Sequence, residues 1–204
     1  IALPLFDIEY QEYLKAGAMD GMEVAKKSEK FRLKGGQTIT LHWLHCDKKG
    51  LCNPHANRPL VCKLYPILPK VSPNGEILGF FNGTIFDLFF SDKSHPCTLI
   101  RQNRQETQDM LKANLKDLLK DPNYIFIFMV ANIAVEHLQN YIKAKFGTYI
   151  IDDIAPNKLA EFWNEVEMAM VLRRAWNTHE FASDIEKAYK SVAQIWGEFL
   201  PIEP

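Results

Sequence analysis

Glycine and proline are so unevenly distributed along this 204-residue chain that its two halves cannot share one kind of structure. Eight of the ten glycines and seven of the eleven prolines precede residue 101, and so do all four cysteines. After Cys97, apolar residues recur at helical spacing almost to the end. A glycine inside a helix costs about 1 kcal/mol and a proline about 3, so the first half is expected to be turns and short strands. The expected fold class is α+β, mostly α. A small irregular Cys-rich lobe with β-hairpins, residues 1–100, precedes an antiparallel helical lobe, residues 101–204, and the two form one compact unit.

The pattern predicts a helix over 7–27, with Asp7 as cap and Ile8, Tyr13, Leu14 and Met22 on one side, bent or broken at Gly17 and Gly21. Phe31 to Lys34 and Thr38 to Trp43 flank Gly35-Gly36, a hairpin signal, and a second hairpin turns at Ser72-Pro73-Asn74-Gly75. Four helices follow. The first covers 102–120, with Met110, Leu111, Leu115, Leu118 and Leu119 inward, and stops at Asp121-Pro122-Asn123. The second covers 124–146 and ends at Gly147, and the third covers 156–177. The fourth carries Phe181 through Phe199, with Ser183-Asp184-Ile185-Glu186 as a capping box. The aromatic stripes, Trp163 and Trp196 included, read as core.

Charge excludes some partners. The formal net charge is −1, split as +2 and −3 between the halves, so there is no basic footprint for nucleic acid. The longest apolar run, Tyr124 to Val135, contains Asn132 and is shorter than the roughly 18 residues of a membrane span; it reads as a buried helix, and no membrane partner is expected. Four cysteines are too few for a disulfide scaffold and no secretory signal is visible, which points to the cytoplasm. Phosphate-binding glycine motifs, a Gly-x-Ser-x-Gly elbow and a His-Glu-x-x-His pair do not occur.

The chemistry-bearing residues are concentrated. His45-Cys46, Cys52, His55, Cys62 and His95-Pro96-Cys97 give the spacing C-x5-C-x9-C-x34-C, interrupted by Pro54, Pro59 and Pro66. A proline-rich loop cannot satisfy its own backbone, and thiolates converging on a metal would order it. Cys46, Cys52, Cys62 and Cys97, with His45, His55 and His95, are therefore the candidate metal ligands. Small buried hydrophobes or a disulfide pair are the other readings of the cysteines. Without a C-x2-C knuckle, the wide intervals favour an iron–sulfur cluster ahead of zinc. A Cys–His nucleophile pair stays open. Arg58, fixed beside Pro59, is expected to brace the loop, and Asp152, Asp153, Glu161 and Glu165 to be solvated on helix faces.

Cys46, Cys52 and the string Arg58-Pro59-Leu60-Val61-Cys62-Lys63-Leu64-Tyr65-Pro66, followed by Cys97, resemble the YkgJ-type cysteine-cluster proteins, a zinc- or iron-chelating family. The Asp47-Lys48-Lys49-Gly50 turn matches the family's short insert. The resemblance covers roughly residues 1–100. The family's C-x-x-C-x-x-C-C cluster has no counterpart before Cys46, and it is expected to have lain upstream of Ile1. The resemblance implies a metal-binding protein with a cysteine-ligated iron–sulfur or zinc site and no assigned biological role. A metal-dependent lysine N-methylase, similar to flagellin lysine N-methylase, is the alternative it implies. A partner, if there is one, is expected to be a protein.

Overall fold

The computed structural model describes residues 2–17, 22, 25, 27–46, 55–83 and 87–202. It is 56% helical and 17% strand, with two small antiparallel sheets, so the fold is α+β and mostly α. The chain divides into two compact units: Ile1–Leu64 with Glu198–Pro204, and Tyr65–Gly197. The division falls at Leu64, not at the change of composition near residue 100. The second hairpin belongs with the helices, and the chain end belongs with the first unit.

In the first unit, β1 (Ala2–Phe6) runs directly into α1 (Asp7–Lys15), and β2 (Lys27–Arg32) turns through Gly36 into β3 (Thr38–His45). The sheet order is β1-β3-β2, which leaves Pro4 on an edge strand where its missing N–H costs nothing. The expected long first helix stops at Lys15, because Gly17 adopts φ 82°. The buried face of α1 holds Glu9, Tyr10 and Tyr13, and Leu14 is exposed. Leu5, Tyr10, Tyr13, Met22 and Leu44 form the core. After a 3-10 turn at His55–Asn57 comes the short α2 (Leu60–Leu64). The Pro201 carbonyl accepts from the Thr38 amide at 2.8 Å and ties the chain end to β3.

In the second unit, β4 (Ile67–Val71) and β5 (Ile77–Asn82) form the second hairpin. Its turn needs glycine twice over: Gly75 has φ 86°, and a Cβ there would collide with the Leu119 carbonyl oxygen. The helices are α3 (Thr98–Asn114), α4 (Pro122–Phe146), α5 (Leu159–Val171) and α6 (His179–Trp196). The Asp121 carboxylate accepts from Asn123 N at 2.8 Å and Pro122 opens α4, whose end is Gly147 in the left-handed region. Thr178 caps α6 by accepting from Phe181 N at 3.1 Å, so the true start lies five residues before the expected capping box. Met110, expected inward, is exposed on α3; Trp196 is 38% exposed, and its indole N–H donates to the Pro73 carbonyl at 2.9 Å.

Helix α4 packs against α5, α6 and β4. Phe89, Leu138, Ile142, Phe162 and Val166 form the main core, with Phe162 edge-on to Phe89 and Trp163. By length and composition α4 is able to cross a membrane, although only a third of its apolar window is buried. The expectation of a buried helix is met at its two ends. Ile125 to Phe128, Leu138 and Ile142 are buried, whereas Met129 to Val135 are each only half-buried.

Candidate functional site

The described residues of the predicted metal site do not converge. Cys46, just past β3, packs against the apolar core of the first unit, and Cys62 lies on α2 of the same unit. Cys97 belongs to the second unit, where it precedes α3 as its cap residue. Cys46, Cys62 and Cys97 are outside any disulfide. Cys52 and the Asp47 to Gly50 turn lie outside the described residues. His45 is exposed at the end of β3, and His55 opens the 3-10 turn. Among the described residues, no group of three or more His, Cys, Asp or Glu side chains is placed to hold a metal ion. That finding overturns the reading as a cysteine-ligated iron–sulfur or zinc protein, and the metal-dependent methylase alternative with it. Cys46, Cys62 and Cys97 are each half-buried instead, Cys46 against the core of the first unit and Cys97 at the position before α3 with no side-chain capping bond.

His95 illustrates why. It is fully buried, and its Nδ1 accepts the backbone N–H of Cys97 at 3.0 Å. A nitrogen that accepts carries no proton, so the proton sits on Nε2, which faces the buried Asp87 carboxylate at 4.0 Å. Nδ1, the ring nitrogen beside Cys97, is occupied by the Cys97 amide and is not free to act as a base for the Cys97 thiol, which closes the Cys–His nucleophile reading for this pair. Burial holds the His95 pKa below its ordinary value. The Tyr65 hydroxyl donates to Asp87, and its pKa is pushed up to about 12, by burial first and then by the charges of Asp87 and Cys97.

The bracing arginines come from α3. Arg101 donates to the carbonyls of His95, at 2.6 Å, and Pro96, at 3.2 Å. Arg104 joins Asp92, at 2.6 Å, to Asn82, at 3.1 Å. Asp152, expected to be solvated, accepts from Ser91 and Ser94, which lowers its pKa. Glu165 likewise accepts from Tyr141 at 2.8 Å and pairs with Lys145 and Arg174. Tyr65, Asp87, His95 and Cys97 form one polar cluster, in which His95 Nε2 and Asp87 Oδ2, both buried, face each other at 4.0 Å without a hydrogen bond between them. Sequence reasoning found His95 and Cys97 in it. It missed Asp87, which carries no motif, and Arg101 and Arg104, whose helical positions look like ordinary solvated charges.

A second feature has the opposite character. Between α4 and α6 runs a surface groove of about 430 Å³. Met129, Ile133, His137 and Asn140 line one wall at intervals of three and four residues, and Asp184, Ala188 and Ser191 line the other at intervals of three and four. Met129, Ile133 and Ala188 are the apolar side chains of the lining, and Glu136, His137, Asn140, Asp184, Lys187 and Ser191 are polar or charged. His137 Nε2 lies 3.1 Å from Asp184, Lys187 pairs with Asp184 at 2.8 Å, and Lys70 pairs with Glu136 at 2.8 Å. The bonds from Lys187 and His137 lower the Asp184 pKa. No family model, no curated protein and no solved structure matches this chain.

Proposed function

We propose that this chain is a protein-interaction module that receives an amphipathic helix of a partner protein in the groove between α4 and α6. The observation that carries the reading is the pair of half-buried apolar side chains Met129 and Ile133 in a groove whose two walls repeat at helical spacing. A helix laid along that groove would cover Met129, Ile133 and Ala188, and its flanking Lys and Glu residues would meet Asp184, Glu136 and Lys187. Glu136, His137, Asn140 and Asp184 on the same face favour a protein over lipid, because charged groups facing hydrocarbon are costly. Thiols outside any disulfide at Cys46, Cys62 and Cys97 support a cytoplasmic setting. For the Arg58 to Pro66 string we propose shared ancestry with the YkgJ-type proteins, without their chelating role.

A displayed library of helical peptides, with a fixed apolar stripe and randomised flanks, tests the reading. Selected peptides should bind the wild-type protein and lose at least tenfold in affinity against Ile133→Glu and against Ser191→Arg, each shown by circular dichroism to be folded. Peptides that bind both variants as they bind the wild type, or a library yielding no binder, would overturn it.

A further inference from the structure

The hairpin of the second unit is a sheet of two strands, so each strand has one edge that the other does not cover. The Gly83 amide donates to the Pro66 carbonyl at 2.7 Å, and Pro69, which has no N–H, stands opposite Phe80. Bonded and non-bonded pairs alternate along an antiparallel ladder. Gly83, Phe81 and Gly79 therefore bond towards β4, whereas the amide and carbonyl groups of Phe80 and Asn82 point away from it. Among the described residues those four backbone groups have no hydrogen-bond partner. The Asn82 side chain is held separately, donating to the Asp87 carbonyl at 3.0 Å and accepting from Arg104 at 3.1 Å.

The two outer edges differ. The outward positions of β4 are Ile67, Pro69 and Val71, and Pro69 offers no N–H to an incoming strand. On β5, Ile77 to Gly83 contain no proline and no charged residue. Leu78 is 63% exposed, and a side chain added at Gly79 would meet nothing within 4 Å. The register shift opposite Val71 leaves residues 79–83 regular. Monomeric proteins usually protect such an edge with lysine, proline or a covering segment. Outward N–H and C=O groups that recur every second residue, about 6.8 Å apart, are complemented by another extended strand.

We propose that β5 is a self-pairing edge, through which two copies of this chain associate into one four-stranded antiparallel sheet in the order β4-β5-β5-β4. The inference concerns the hairpin and is independent of the groove between α4 and α6. Symmetry and charge identify the second copy as the occupant. A two-fold axis at Phe81 brings Phe80 of each copy opposite Asn82 of the other, and all the outward groups of both copies then pair. Phe81 faces its own counterpart across a non-hydrogen-bonded pair, where side chains approach most closely and aromatic pairs are favourable. Self-pairing sets like charges opposite each other in a charged strand, and β5 has none. An acidic or basic peptide gains no counter-charge from the strand itself. The pairing spans about five residues per copy, well below a permanent interface, so the dimer forms only as concentration rises.

Sedimentation equilibrium on the intact chain tests for the association. The weight-average mass should rise above 23.5 kDa, towards twice that value, as the protein is raised to about 1 mM. Amide hydrogen exchange at the same concentrations locates the contact. Protection of the Phe80 and Asn82 amides should grow several-fold with concentration, while that of Phe81 and Gly83, which bond to β4, stays constant. Phe81→Lys and Phe81→Glu each set like charges opposite each other at the axis. Each variant, shown by circular dichroism to be folded, should sediment as a monomer, and their equimolar mixture as a heterodimer. A mass of 23.5 kDa at every concentration would overturn the proposal, as would a dimer whose Phe80 and Asn82 amides stay unprotected. Protection of these amides only on adding an extended apolar peptide would assign the edge to another protein and overturn the second copy as its occupant. The mass and exchange readings use the wild-type protein, so the inference is tested even if the variants do not fold.

Discussion

Both ends of α4 bury apolar side chains, whereas its middle, six of seven residues apolar, leaves them half-buried. Ile125 to Phe128 and then Leu138 and Ile142 are buried, while Met129 to Val135 are half-buried. Packing against α5, α6 and β4 consumes the apolar surface of the ends. In the middle, Val135 packs on the core and the Ala134 carbonyl accepts from the Trp176 indole at 2.8 Å, whereas Met129 and Ile133 line the groove, where apolar surface in contact with water costs stability. The contrast separates the buried side chains of this helix, which hold the unit together, from Met129 and Ile133, the part that the proposed groove reading assigns to a partner.

Truncation is the most forceful way to break that contrast. Leu138→Ala and Ile142→Ala, both fully buried, should each destabilise the protein by about 2–5 kcal/mol in urea unfolding. Equal costs for Ile133→Ala, which is expected to lose less than about 1 kcal/mol, would erase the distinction.

Buried and exposed charges allow the same comparison. Glu9 has its pKa raised to about 7, so its stabilising contribution is full below about 4.5 and lost as pH rises through 7. From this group the wild type should be less stable at pH 8.5 than at pH 4 by up to about 3 kcal/mol relative to Glu9→Gln, compared by denaturant titration at each pH. Asp152, Asp184 and Glu165, all with lowered pKa, act in the opposite sense, stabilising above their unfolded values and less as pH falls; the comparison with Glu9→Gln cancels them.

Smaller effects sharpen the picture at α6. Removing its cap by Thr178→Ala should cost about 1 kcal/mol in the same unfolding assay. Lys187→Ala, which breaks a rim ion pair with a 72% exposed lysine, should change stability by less than about 0.5 kcal/mol. A larger loss would mean that the rim is part of the scaffold.

The sequence made the fold class, both hairpins and the spans of α4 and α6 readable to within a few residues, because glycine turns, Asp121-Pro122 and Gly147 act locally. Helix faces were harder to read. Met110 and Trp196 fit an inward stripe by spacing, yet which face is inward depends on neighbours that spacing does not contain. The cysteine pattern misled for a related reason. Proximity in sequence suggests convergence, but Cys46 packs half-buried against a core and Cys97 stands at the start of α3, in different units. The groove left no motif at all, since its lining consists of two ordinary amphipathic patterns that acquire meaning only side by side.

The most direct measurement is cross-saturation NMR from a selected helical peptide to the methyl groups of the protein. The groove reading predicts saturation transfer to Met129 and Ile133, with none to the buried Leu138. Transfer confined to methyl groups away from α4 and α6, such as Val171 and Leu172 at the end of α5, would contradict it.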